Sequence, residues 1–175
     1  MNPTIKRIIT GTRKYQNLAK NGNMDNGATG WNGGAADATW GSPNYCANIM
    51  ATIGVAKGIN QGITFIDGNK VYIAATFKLK TAISAGGYYG IRTRTSSAGN
   101  IVINSAEFDI DTIKPMSAIR TISSGDAGFY AYVYDPSALA TVLFDDVIVV
   151  CLNDYGLQNK SAEWCNTNIP SNIIW

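Results

Sequence analysis

The sequence contains no histidine. That absence removes the commonest general base at neutral pH and the commonest catalytic metal ligand. A serine, cysteine or zinc hydrolase of ordinary design is therefore disfavoured. Carboxylate-only catalysis of the glycosidase kind stays open, with Glu107, Asp109 and Asp111 as clustered acids. Cysteine is scarce: Cys46, Cys151 and Cys165 are an odd set without the close pairs of a zinc site. Cys151 continues an apolar stretch and reads as a buried, inert thiol. Charge is low too, at 15% of residues with a net of +2, too little to indicate nucleic acid or an anionic membrane. No apolar run approaches the length needed to span a bilayer. Lys6, Arg7, Arg13 and Lys14 interrupt what would be a signal-peptide core. These absences predict a soluble chain made in a cytoplasm.

What is present points to strands. The 175 residues suffice for one domain with a sizeable core. An apolar content of 46% and 18 glycines, among many Asn, Ser and Thr, describe short strands joined by tight turns. Lys70 to Lys80 alternates, with Val71, Ile73, Ala75, Phe77 and Leu79 on one face and Tyr72, Ala74, Thr76, Lys78 and Lys80 on the other. Tyr88–Ser96, 101–110, Pro115–Ser123 and Phe129–Asp135 read as further strands. Val147 to Val150 is a β-branched run with Asp145 and Asp146 at its entrance. Asp67-Gly68-Asn69 is a hairpin signal, Gly33 to Pro43 reads as a loop, and Ser161 opens a short C-terminal helix. The predicted fold is an antiparallel β-sandwich over 17–175, preceded by an arm or edge strand over 1–16.

Two motifs carry a resemblance. The stretch Asn17-Leu18-Ala19-Lys20-Asn21-Gly22-Asn23-Met24-Asp25, continuing to Gly30-Trp31, is similar to the opening of carbohydrate-binding-module jelly rolls with a galactose-binding-like fold. The ending, Leu152-Asn153-Asp154-Tyr155-Gly156 and then Ser161-Ala162-Glu163-Trp164, resembles the tail of jelly-roll domains on phage tail proteins. The resemblance implies a non-catalytic saccharide-binding module on a phage tail, baseplate or surface fibre. Its partners would be a bacterial cell-surface glycan and other virion proteins, with homo-oligomerisation left open. A purely structural virion adaptor is the competing reading, because one fold hosts many functions. In the resembling modules an acidic residue of the opening loop and the aspartate of the last strand hold a structural calcium. Asp25 and Asp145 stand at those positions, and calcium takes oxygen ligands alone.

The candidate ligand residues follow from alternation. Tyr130, Tyr132 and Tyr134 share one strand face, about 7 Å apart, opposite Phe129, Ala131 and Val133. Such a row can be a sugar-stacking platform, a bare or subunit-facing surface, or a core face. The last would bury three phenols that need partners. Tyr88, Arg92 and Arg94 form a second row, whose guanidiniums suit hydroxyls or, more strongly, the oxyanions of an acidic saccharide. Trp40, among small residues, is a further platform candidate, whereas Trp31 reads as a core anchor. On the platform reading, Tyr132→Ala should weaken binding with little effect on stability.

Overall fold

The computed structural model describes residues 13–25, 29–33, 38–41, 45–49, 53–94, 101–105 and 109–175. The chain forms β1 (Tyr15–Gln16), β2 (Asn32–Gly33), β3 (Ala38–Gly41), β4 (Tyr45–Ile49), β5 (Lys57–Gly62) and β6 (Lys70–Leu79). It continues through β7 (Tyr88–Arg94), β8 (Ile101–Ser105), β9 (Ile113–Thr121), β10 (Asp126–Tyr134) and β11 (Thr141–Cys151). A short helix α1 (Ala162–Asn168) and strand β12 (Ile173–Ile174) close it. A front sheet has the order β2-β5-β10-β7-β8, and a back sheet the order β3-β4-β11-β6-β9. Every ladder in these two sheets is antiparallel. The fold is an all-β jelly-roll sandwich.

The core follows from the alternation. Val71, Ile73, Ala75, Phe77 and Leu79 of β6 face Tyr89 and Ile91 of β7 and Phe129, Ala131 and Val133 of β10. Phe77 lies at the centre, edge-on to Phe144 at 4.9 Å and tilted against Tyr89 at 5.3 Å. Such aromatic pairs add about 1 kcal/mol each beyond their area burial. Trp31 packs into the same core, edge-on to Phe129, and its indole N–H donates to the Asn21 carbonyl.

The two sheets differ in what covers them. The centre of the back sheet is buried on both faces: Tyr72 and Ala74 of β6 and Ile148 and Val150 of β11, on its outside, pack against Leu157, Cys165, Ile169 and Ile173 of the C-terminal tail. The tail is held over them by α1, whose first turn is capped by the Ser161 hydroxyl accepting from the Trp164 N–H at 3.2 Å. The described part of the front sheet carries no such cover.

Three local expectations change. Asp67-Gly68-Asn69 turns the chain between sheets rather than into a hairpin, since β5 belongs to the front sheet and β6 to the back. The stretch read as a loop over Gly33–Pro43 contains β3, paired with β4. Asp145 and Asp146 stand mid-strand in β11, not at its entrance. There the register against β6 shifts between Asp145 and Ile148, and Asp146 takes a left-handed φ of 49°.

Candidate functional site: the tyrosine face of the front sheet

Because Phe129, Ala131 and Val133 point into the core, Tyr130, Tyr132 and Tyr134 project from the outer face of β10. The ladder sets Tyr130 opposite Arg92, Tyr132 opposite Gly90 and Tyr134 opposite Tyr88 on β7. On its other side β10 meets Asn60 and Gly58 of β5, opposite Tyr130 and Tyr132. Strand pairing thus gathers Tyr88, Arg92 and all three tyrosines of the row on one patch.

Within the patch the rings are not equivalent. Tyr88 stacks on Tyr134 with centroids 5.0 Å apart and packs at right angles to Tyr132 at 6.0 Å. The Arg92 guanidinium lies over both Tyr132, at 4.9 Å, and Tyr130, at 5.4 Å. Tyr132 is only 3% exposed as a result. Its cross-strand neighbours are both glycines, which leave room for a ring to lie down on the sheet. Gly58 could hardly be otherwise, because a Cβ there would overlap the Ala131 carbonyl. Burial pushes the Tyr132 phenol well above the ordinary tyrosine range, and the neighbouring Tyr88 adds to it. This corrects the expectation for Tyr132: it is the clamped floor of the patch, while Tyr130 and Tyr134 are partly exposed. A groove of about 320 Å³ runs beside it, lined by Lys57, Gly58, Asn60, Arg92, Tyr130 and Tyr132 among others.

The other candidates fall elsewhere. The Trp40 backbone sits in β3 of the back sheet, paired with Cys46, so Trp40 is not on the tyrosine sheet. The Trp40 and Arg94 side chains lie outside the described residues. Cys151 and Cys165 are buried free thiols, and Cys46 has no described side chain.

The opening motif has a structural role that its sequence hides. Asn17, 5% exposed, donates through Nδ2 to the Val147 carbonyl at 2.8 Å and accepts at Oδ1 from Val149 N–H at 2.8 Å and Ala19 N–H at 3.1 Å. Val147 N–H in turn donates to the Gly22 carbonyl at 2.8 Å. The opening loop thereby replaces the ladder bonds that β11 loses at its bulge. A Cβ at Gly22 would overlap the Val147 carbonyl, which explains the glycine. Gln61 of β5 ties the same loop to the front sheet, donating to the Lys20 and Gly30 carbonyls.

This clasp brings Asp25 towards the β11 bulge. Asp145 is 8% exposed; burial first, and then the charges of Asp146 and Asp25, push its carboxyl up to about 7. Burial and Asp25 raise Asp146 as well. The donor set is all oxygen, as calcium requires. Among the described residues, however, no three acidic or cysteine side chains converge as a metal site would.

A larger cavity of about 560 Å³ opens on the back sheet, between β6, β9 and the tail, lined by Tyr72, Thr76, Met116, Asp146, Asn166 and Trp175 among others. Size does not favour it as a saccharide site. The Tyr72 hydroxyl already donates to Asn166 Oδ1 at 3.0 Å, and its ring is buried. Among the described residues no helix is long and apolar enough to cross a membrane.

No protein-family profile and no curated protein sequence matches the chain. Solved structures do resemble it. A carbohydrate-binding module of family 4 superposes with a TM-score of 0.54 at 12% identity, over 73% of this chain and 99% of that one. A family 16 carbohydrate-binding module gives 0.52 at 17% identity, over 77% and 99%. The enzymatically active domain of tailspike protein 4 from bacteriophage CBA120 gives 0.51 at 17% identity, over 77% of this chain and 21% of the tailspike. At these identities the likeness is one of fold: the chain has the jelly-roll β-sandwich of carbohydrate-binding modules.

Proposed function

We propose that this domain is a non-catalytic module that holds a saccharide chain across the outer face of the front sheet. In this reading it serves on the surface of a phage particle, where it contributes to attachment to a bacterial cell-surface glycan. The observation that carries it is the uncovered sheet face, where Tyr88, Tyr130, Tyr134 and Arg92 share one patch and Tyr130 and Arg92 line a groove. Partly exposed rings offer apolar faces to sugar rings, and their hydroxyls and Asn60 offer hydrogen bonds. The carbohydrate-binding modules of similar fold support the ligand class, and the tailspike likeness supports the phage setting. Each stacked ring contributes on the order of 1 kcal/mol, so a single domain would bind at micromolar to millimolar levels. Several copies on one particle would raise avidity without new contacts.

Calcium belongs to the proposal as a structural ion at Asp25 and Asp145. What supports it is a pair of carboxylates, Asp145 and Asp146, whose ionisation the fold disfavours and which lack a cationic partner among the described residues. The ion would fasten the opening loop to the bulge of β11 and take no part in glycan contact.

One observation favours a second reading. Tyr88 and Tyr134 already stack on each other, and Tyr132 is covered, an arrangement that also suits a rigid adaptor surface without glycan affinity. A glycan array followed by titration calorimetry separates the two. Reproducible hits that weaken in Tyr130→Ala support the binding module. No hit, with Tyr130→Ala instead disrupting assembly with other virion proteins, supports the adaptor.

A further inference from the structure

We infer that the saccharide held on the front sheet is anionic, and that an oxyanion of its chain, a uronate carboxylate or a phosphodiester, pairs with Arg92. This inference rests on the saccharide reading of the same groove and adds the charge of its ligand. The charged residues lining the groove are Arg92 and Lys57, with no carboxylate among the described lining residues. That matters chemically. A neutral sugar presents hydroxyls, each donor and acceptor at once, and is matched by mixed donors and acceptors. A groove whose charged groups are all donors is matched by a ligand carrying acceptor-only groups.

Arg92 is placed for that role by its neighbours. Its guanidinium lies on the faces of Tyr130 and Tyr132, at 5.4 and 4.9 Å. Stacking engages the π face of the guanidinium and leaves the N–H donors in its plane. Among the described residues no carboxylate neutralises it, and its buried Nε has no hydrogen-bond acceptor. The side chain is therefore held by rings rather than by an acid, and no described neighbour cancels its charge. Pre-orientation of this kind reduces the ordering cost when two oxygens of an oxyanion dock in paired fashion. The clamped Tyr132 takes its place in the same scheme: covered by Arg92, it fixes the guanidinium instead of stacking on sugar.

The test uses the intact domain and three classes of probe in titration calorimetry. They are polygalacturonate oligomers, a glycerol-phosphate polymer of the teichoic-acid type, and uncharged β-1,4-glucan and β-1,4-galactan oligosaccharides. The expected result is that one anionic probe binds about ten- to hundredfold tighter than the uncharged ones, as a charge-assisted pair implies. That preference should shrink as salt rises from about 20 to 500 mM. Which anionic probe binds tells carboxylate from phosphodiester. Arg92→Met should remove most of the preference, and Arg92→Lys should restore part of it. Should Arg92→Met fail to fold, Lys57→Met and the salt dependence of the native chain still decide the matter. Equal or tighter binding of the uncharged oligosaccharides overturns the inference while the saccharide reading stands. Binding of no saccharide overturns both.

Discussion

Tyr132→Ala removes a ring that is 3% exposed, so its effect on stability can be worked out. Complete truncation of a core aromatic costs about 3–5 kcal/mol. Here the ring is covered by the Arg92 guanidinium and packs at right angles to Tyr88, each such contact contributing about 0.5–1.5 kcal/mol. The low end of the truncation range, about 3 kcal/mol, lowers Tm by roughly 6–12 °C for a domain of this size. Tyr130→Ala loses a partly exposed ring and a single cation–π contact, about 1 kcal/mol and only a few degrees. Calorimetric melting of the two variants side by side checks the difference. Glycan affinity should be scored on Tyr130→Ala, whose fold stays intact at assay temperature. Equal melting temperatures for native chain and Tyr132→Ala would refute the clamped floor, leaving Tyr132 a ring of the open platform.

Asn17→Ala should be more damaging than its loop position suggests, because Val147 carbonyl and Val149 and Ala19 N–H groups lose their partner together. At about 1–2 kcal/mol each, a loss of roughly 3–6 kcal/mol should appear in urea unfolding, and an unchanged midpoint would show that the clasp contributes nothing. The Asp145 carboxyl, with a folded pKa of about 7 against the ordinary 3.8, binds a proton more tightly when folded. Its stabilising contribution is therefore complete below about pH 4 and lost as pH rises through about 7. Chelator-treated protein should melt higher at pH 5 than at pH 8, and Asp145→Asn should flatten that difference. Added calcium should raise Tm at pH 8 by roughly 5–10 °C at hundredfold excess over Kd. No bound metal after dialysis and an unmoved Tm remove the ion from the proposal.

The sandwich was legible wherever alternation alone decides a strand's faces. Phe129, Ala131 and Val133 had to turn inward together, which sent the three tyrosines outward. What a strand reading misses is its neighbours. Tyr130 and Tyr132 look alike along β10, yet Gly58 and Gly90 flank only Tyr132, and that flanking separates a buried ring from a partly exposed one. Asn17 stood in the opening motif, but its clasp was not legible because two of the backbone groups it satisfies lie 130 and 132 residues away. Asp145 and Asp146 were read as a strand entrance because the valine run after them dominates the pattern. The strand had already begun at Thr141 and bulges at those aspartates. Asp67-Gly68-Asn69 does specify a turn, but a turn signal does not say which sheet the next strand joins.

The pairing of β1 with β12 has a mechanical side. The two strands run parallel, with Tyr15 beside Ile173 and Gln16 beside Ile174. A tensile load applied across the ends of the sandwich therefore pulls these strands past one another along their length. Bonds loaded this way share the force and fail together, whereas an antiparallel hairpin at the same place would unzip one bond at a time. Behind that small ladder, Asn17 N–H reaches the Ile174 carbonyl, and Gln16 N–H reaches the Tyr155 hydroxyl. Beyond it, Leu18 N–H donates to the Val149 carbonyl of β11, so part of the load passes into the covered back sheet.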